Sequence, residues 1–337
     1  MRNMSKSNFE SYPPLFRPAS SPTKGVDLDK PSKQTTDSDP LPVIDLQYLN
    51  HDKLAEACKD WGMFRLVNHG IPMTLLNKLQ DHAKELFSLT FESKQALFTN
   101  PIAYFWGTPA LTPSGVALQR GPQAQIINWV EGFNVLLGQL PQLGAEDPVI
   151  DSFGLLLEEY GRHQSRLATT IFEAMAENLK LGPKQSMSYL SPSTGFIRVY
   201  RYPRCSEAHQ AFGIDTHTDS SVLSILNQDE VGGLQVYKDD QWLNVKPISN
   251  TLVVNLGDMM QAMSNDEYKS VKHRVKVNKH EERISIGYFV FPAEDSVIEA
   301  SKYKPFTYAD FRAQVQQDLR TIGIKVGLEH FKLTEAC

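Results

Sequence analysis

Cysteine is scarce in this sequence. The chain has three in 337 residues, Cys58, Cys205 and Cys337, with no Cys-x-x-Cys spacing. An odd, small count argues against a disulfide framework and fits a reducing compartment. No apolar run approaches the roughly 20 residues that a membrane-spanning helix needs. An excess of basic charge is also missing, since the net charge is -5. Nucleic acid and anionic membranes are therefore not expected partners. The first residues lack the apolar core of a secretory leader. They also carry Glu10, Asp27, Asp29, Asp37 and Asp39, unlike an acid-poor transit peptide. The expectation is a cytoplasmic monomer, with the nucleus as the alternative compartment. No internal repeat or coiled-coil heptad stands out.

What is present suits a globular chain. Hydrophobic residues make up 41% and charged residues 22%, enough for one large or two smaller cores. Residues 1–40 are rich in Ser, Pro, Thr, Lys and Asp without periodicity, and read as a mobile arm. Within it, Tyr12-Pro13-Pro14-Leu15-Phe16 is an apolar island able to dock on the body. Residues 41–185 read as a helical and mixed region. Strands are expected at Leu41–Leu46 and Met63–Val67, with a turn at Asn68–Pro72 in which His69 reads as structural. Helical spacing covers Asp52–Asp60, Met73–Leu89, Ser93–Phe98 and Pro148–Leu181. Asp147 suits the N-cap of the last of these, Pro148 its first position and Gly182 its stop. Residues 100–125 are rich in Pro and Gly and read as a binding loop.

From Gly195 the apolar period changes to two. Eight strands are expected, at Phe196–Tyr202, Ile214–Thr218, Val222–Asn227, Leu234–Lys238, Gln241–Val245, Thr251–Leu256, Lys272–Lys276 and Ile284–Phe291. Residues 186–300 thus form a strand-rich domain, followed by a C-terminal helical segment over 301–337 with its helix at Tyr308–Ile322. Helices followed by short strands give an α+β chain, and the strand count suggests a sandwich or jelly roll.

One motif organises the rest. In His217-Thr218-Asp219 the histidine and carboxylate are two apart, which places both on one face if the segment is extended. Alone the tripeptide reads equally as a turn or a polar strand pair. With His273 from another strand, it becomes the ligand set of a 2-His-1-carboxylate facial triad, which suits non-haem Fe(II). Arg283 and Ser285 share a face of the next strand. A lone arginine is ordinarily a surface ion-pair partner, but beside the triad its bidentate fork suits a carboxylate.

These motifs resemble the plant-type 2-oxoglutarate- and Fe(II)-dependent dioxygenases. The resemblance spans about Leu41 to Pro292. It rests on Leu41-Pro42-Val43-Ile44-Asp45, Trp61-Gly62-Met63-Phe64, Val67-Asn68-His69-Gly70-Ile71-Pro72, Tyr202-Pro203, Val231-Gly232-Gly233-Leu234-Gln235-Val236, Asn255-Leu256-Gly257-Asp258, His273-Arg274-Val275 and Arg283-x-Ser285. It implies a double-stranded β-helix (jelly roll) flanked by helices, with iron bound by His217, Asp219 and His273. It also implies 2-oxoglutarate anchored by Arg283, Ser285 and Tyr202, O2 as the second co-substrate and ascorbate as a stimulant. One position departs from the family: Tyr200 stands where an asparagine is usual. The segment around Trp106 resembles gibberellin oxidases, so a small hydrophobic gibberellin is the first expected substrate, and hydroxylation the expected outcome. Flavonoid or other specialised metabolism is the alternative, and a non-catalytic small-molecule-binding jelly roll the alternative of another class. Expected substrate-side residues are Trp106, Phe133, Tyr200, Tyr288 and Phe291, with Arg120 or Arg198 able to pair a substrate carboxylate.

Overall fold

The computed structural model describes residues 9–14, 17, 39–99, 101–107, 128–143, 147–205 and 212–333. In chain order its strands are β1 (Val43–Asp45), β2 (Met63–Val67), β3 (Ile102–Trp106), β4 (Glu131–Leu136), β5 (Ser191–Tyr202), β6 (Phe212–His217), β7 (Leu223–Gln228), β8 (Leu234–Lys238), β9 (Gln241–Asn244), β10 (Leu252–Leu256), β11 (His273–Lys276), β12 (Arg283–Phe291), β13 (Val297–Ile298) and β14 (Phe306–Thr307). The helices are α1 (His51–Asp60), α2 (Met73–Phe87), α3 (Phe91–Leu97), α4 (Pro148–Asn178), α5 (Pro183–Ser188), α6 (Asp258–Met263) and α7 (Tyr308–Thr321).

Eight strands form one sheet in the order β1-β2-β10-β7-β12-β5-β4-β3, and four form a second in the order β6-β11-β8-β9. Strand alternation gives the large sheet two faces. One face presents Ile197, Val199, Ile284 and Ile286 to the helices. There α4 lays down Phe153, Leu157, Tyr160, Leu167, Ile171 and Met175, all buried at helical spacing. The other face presents Tyr200, Tyr202 and Val253, which pack with Leu234, Val236 and Val275 of the small sheet. The two sheets therefore enclose an interior of their own, as a jelly roll requires.

Local chemistry fixes where elements start and stop. Asp147 accepts from the Val149 and Ile150 amides at 2.8 and 3.4 Å, and Pro148 follows at the first position, so α4 begins as its sequence predicts. Its end differs from expectation. Lys180, not Gly182, takes the left-handed conformation (φ 55°), and the Leu181 amide then closes on the Ala176 carbonyl at 2.9 Å. Gly182 instead precedes α5.

Two expectations need correcting. The loop expected over residues 100–125 contains β3, which pairs with β4 through Trp106↔Glu131 and Ile102↔Val135; Arg120 lies outside the described residues. The mobile arm expected over residues 1–40 is docked at Ser11–Pro13, which are buried. The Tyr12 ring lies 5.6 Å from Trp106 and 6.2 Å from Trp129, and the Ser11 carbonyl accepts from Lys94 Nζ at 3.0 Å. An aromatic slot and an ammonium needing an acceptor hold this segment. Leu15 and Phe16 of the same island lie outside the described residues. Among the described residues no helix is long and apolar enough to cross a membrane.

Candidate active site

β6 ends at His217, β11 begins at His273, and the two histidines are cross-strand partners with ring centroids 4.3 Å apart. Asp219 does not share the strand, which corrects the extended i, i+2 geometry expected for the motif. The chain leaves β6 after His217, and the Asp219 carbonyl is held by the Asp258 amide at 2.8 Å. The result is still convergent. Each histidine Nε2 lies 3.6 Å from Asp219 Oδ1, and the donor atoms all fall within 4.8 Å of one another.

The remaining atoms of these side chains are already committed. His217 Nδ1 is 2.7 Å from the Asp215 carbonyl and His273 Nδ1 is 3.2 Å from that of Val271. A carbonyl can only accept, so Nδ1 carries the proton in both rings and Nε2 keeps its lone pair. Asp219 Oδ2 accepts from Ser224 Oγ and Asn255 Nδ2, both at 2.8 Å, leaving Oδ1 for the cluster. Burial and the neighbouring His273 bring the His217 pKa down to about 4, which keeps the imidazole neutral and able to ligate. Burial alone would raise the Asp219 pKa. His273 and His217, with the Ser224 and Asn255 hydrogen bonds, outweigh it and hold the carboxyl below its usual range.

Arg283 is 1% exposed and stands directly across from Tyr202 in the β5–β12 ladder. Its Nη1 donates to Ser285 Oγ and its Nη2 to Gln228 Oε1, both at 3.0 Å, and the guanidinium lies 4.8 Å over the Tyr202 ring. Burial raises the Tyr202 pKa against the opposing pull of Arg283, so the phenol stays protonated and can donate. Tyr202 fits because Gly213 of β6 has no side chain: a Cβ there would collide with the Tyr202 ring. Two buried donors beside this clamp, Arg283 Nε and Gln228 Nε2, have no partner. Among the described residues no carboxylate lies within ion-pair distance of Arg283.

Further along the same inner face stand Tyr200, Arg198 and Phe196. Arg198 donates to Asn134 Oδ1 at 3.2 Å and to the Tyr200 hydroxyl at 3.4 Å, and its guanidinium lies 5.1 Å from the Phe196 ring centroid. Phe196 stacks on Phe289 and Phe291, and Tyr308 packs tilted against Phe291. The expected residues Tyr200 and Phe291 belong to this wall. Trp106, Phe133 and Tyr288 do not, which corrects that expectation. Phe133 stacks on Phe87 in the helix-side core, Tyr288 lies in the same core, and Trp106 is opposite Glu131 on that face. Period-two alternation separates the sets.

Two family models match, the 2OG-Fe(II) oxygenase superfamily over residues 193–292 and the non-haem dioxygenase in morphine synthesis N-terminal region over residues 41–144. Gibberellin 2-beta-dioxygenase 6 of Oryza sativa subsp. japonica is 36% identical over 312 residues, spanning 86% of this chain and 84% of that protein. The chain belongs to the 2OG-Fe(II) oxygenase superfamily. Gibberellin 2-beta-dioxygenase 8 of Arabidopsis thaliana is 35% identical over 86% of both chains. Codeine O-demethylase of Papaver somniferum is 33% identical over 81% of this chain and 76% of its own. The crystal structure of JOX2 in complex with 2OG, Fe and JA superposes with a TM-score of 0.72 at 28% identity, covering 87% of this chain and 89% of that one. The fold is the double-stranded β-helix of these oxygenases, and the protein is an oxidoreductase dependent on Fe(II) and 2-oxoglutarate.

The residues present fit both groups. Two Nε2 lone pairs and one carboxylate oxygen converge for a divalent ion, and the unpartnered donors of Arg283 and Gln228 await an anion. Sequence reasoning missed Ser224 and Asn255, which orient Asp219, Gln228, which orients Arg283, and Phe196 and Phe289 in the wall. Parity would have found the last two, because Phe289 shares a face with Arg283 and Ser285, and Phe196 with Tyr202.

Proposed function

We propose that the chain hydroxylates a small apolar carboxylic acid, a gibberellin first of all, with Fe(II) held by His217, Asp219 and His273. In the same reading the distal carboxylate of 2-oxoglutarate is anchored by Arg283, Ser285 and Tyr202. The overall reaction takes R–H, 2-oxoglutarate and O2 to R–OH, succinate and CO2. Iron with its co-substrate supplies the oxidising power when bound. The protein's residues position and exclude water. Arg283 supplies a fixed bidentate cation whose own lattice of hydrogen bonds keeps it from reorienting. Tyr202 offers a neutral hydroxyl beside it.

The observation that carries the reading is the convergence of three committed ligand side chains in the interior that also holds a buried arginine with no carboxylate at ion-pair distance among the described residues. For the substrate, the support is the second guanidinium. Arg198 stands in the aromatic wall without a carboxylate at ion-pair distance among the described residues, and the gibberellin dioxygenases are similar over most of their length. A rigid apolar acid would lay its rings on Phe196, Phe289 and Phe291 and its carboxylate on Arg198.

The test is a panel of gibberellins, flavonoids, jasmonates and alkaloids with purified protein, Fe(II), 2-oxoglutarate and O2. Substrate-dependent succinate and a product heavier by one oxygen are scored together. Turnover of a gibberellin acid supports the reading. Turnover of a flavonoid with none of any gibberellin overturns the substrate, and no succinate with any substrate overturns the enzyme.

A further inference from the structure

Lys325 lies beyond α7 in sequence but against the metal-ligand loop in space. Its Nζ lies 2.6 Å from Asp258 Oδ2 and donates to the Thr218 carbonyl at 2.8 Å and to Ser220 Oγ at 3.2 Å. Three acceptors match the three protons of an ammonium, and two of them flank Asp219 on either side. Only 18% of the lysine side chain and 6% of the aspartate's remain exposed.

Asp258 spreads this contact further. Its amide donates to the Asp219 carbonyl, and its Oδ1 accepts from Ser270 Oγ at 2.7 Å, three residues before His273. One carboxylate thus ties together the loop carrying Asp219, the approach to His273 and the C-terminal segment. That segment has its own anchor. Asp318, 3% exposed at the end of α7, accepts from the Val326 amide at 3.0 Å and lies 2.9 Å from His330 Nε2. Gly327 (φ 74°) lets the chain turn beside Asp258, whose Oδ2 lies 3.5 Å from where a Cβ would stand.

We propose that Lys325 is a positioning residue for the metal centre, and that docking of the segment 323–330 and binding of Fe(II) favour one another. The inference rests on the triad reading above. Among the described residues, the hydrogen bonds to the Thr218 carbonyl and the Ser220 hydroxyl come from Lys325. Without it the loop between those strands keeps its fold but samples more orientations, and Asp219 presents its oxygen less often. Coupling of this kind is reciprocal, so metal must tighten the tail as much as the tail tightens metal.

The experiment measures Fe(II) affinity without turnover, from the visible charge-transfer band of the anaerobic protein with 2-oxoglutarate. Lys325→Met should weaken Fe(II) binding about 10-fold, the range for groups that orient metal ligands. Lys325→Arg should recover part of it, and Lys332→Met, on a partly exposed lysine just past the segment, paired with Glu329, should change nothing. Ser220→Ala removes one of the three contacts and should give a smaller loss, which keeps the test decisive if Lys325→Met melts early without metal. In wild type, Fe(II) should slow amide hydrogen exchange over 323–330. Wild-type affinity in both Lys325→Met and Ser220→Ala, or a tail whose exchange ignores Fe(II), overturns the proposal. A wild-type protein that gives no band at all overturns the triad reading itself.

Discussion

Arg198 and Arg201 are three residues apart on β5 and meet opposite worlds. Arg201 faces the helices and is paired with two carboxylates. It forms ion pairs with Glu131 Oε1 at 2.9 Å and Glu282 Oε2 at 3.1 Å, and it donates to the Phe87 carbonyl at 2.7 Å. Glu131 is fully buried and also accepts from Lys94 Nζ and the Tyr104 hydroxyl, both at 2.6 Å. Every charge there has an answer from the chain itself. Arg198 and Arg283, on the inner face, have neutral partners only among the described residues. Arg283 is buried and Arg198 half-buried with no carboxylate at ion-pair distance among the described residues; Asp229 and Asp219 act on them only from further off, so in the proposed reading both guanidiniums take anions from outside. The difference separates charges that specify the fold from charges that wait for ligands.

Breaking the paired side should hurt the fold. Glu131→Gln leaves Lys94 and Arg201 without their buried carboxylate and should destabilise by about 3–5 kcal/mol, read from urea unfolding. A loss below about 1 kcal/mol would mean that Glu282 and the carbonyl acceptors suffice, and the contrast between the faces would fail. The inner face should answer in the reverse way. Arg283→Met removes a buried charge that has no ion-pair partner among the described residues, so stability should hold or rise, while the KM for 2-oxoglutarate should climb on the order of 100-fold, as for truncation of a buried charged partner. Next in size, Arg198→Met should raise KM for an acidic substrate about 10-fold, the worth of one hydrogen bond to a charged group, and leave KM for 2-oxoglutarate alone. The methyl ester of the same substrate should not distinguish wild type from variant. Equal losses for acid and ester would reduce Arg198 to a packing residue.

Much of this division was legible in the sequence, and what was missed has a physical cause. His217, Asp219, His273, Arg283, Ser285 and Tyr202 could be named because their spacing and family motif are local, and the structure gathers the three triad residues into one cluster and the other three into one clamp. The strands were legible because β7 and β10 are short apolar runs bounded by turn residues and β12 opens with apolar alternation. Trp106, Phe133 and Tyr288 went to the wrong face because residue type was weighed without parity. An aromatic residue is equally at home in a core and in a pocket, and only its register against Arg283 or Tyr202 separates the two. The strand β3 hid inside a Pro- and Gly-rich stretch, since its pairing with β4 is a tertiary property. The contact of Lys325 with Thr218 spans 107 residues and leaves no local pattern at all.

The smallest effect concerns the docked N-terminal piece, which closes the paired side from outside. Tyr12 covers the Arg201 guanidinium at 5.6 Å from its ring centroid and fills the slot between Trp106 and Trp129. Arg17 pins the same piece to Glu92 at 2.7 Å, an exposed pair worth little by itself. Tyr12→Ala therefore removes two aromatic contacts and one cation–π contact, together about 1–2 kcal/mol. The expected outcome is a lowered Tm with KM for 2-oxoglutarate unchanged, because Tyr12 lies against Arg201, on the face of β5 opposite Tyr202. A Tyr12→Ala protein with normal Tm but raised KM would place this segment on the ligand side, and the two-face division of β5 would have to be redrawn.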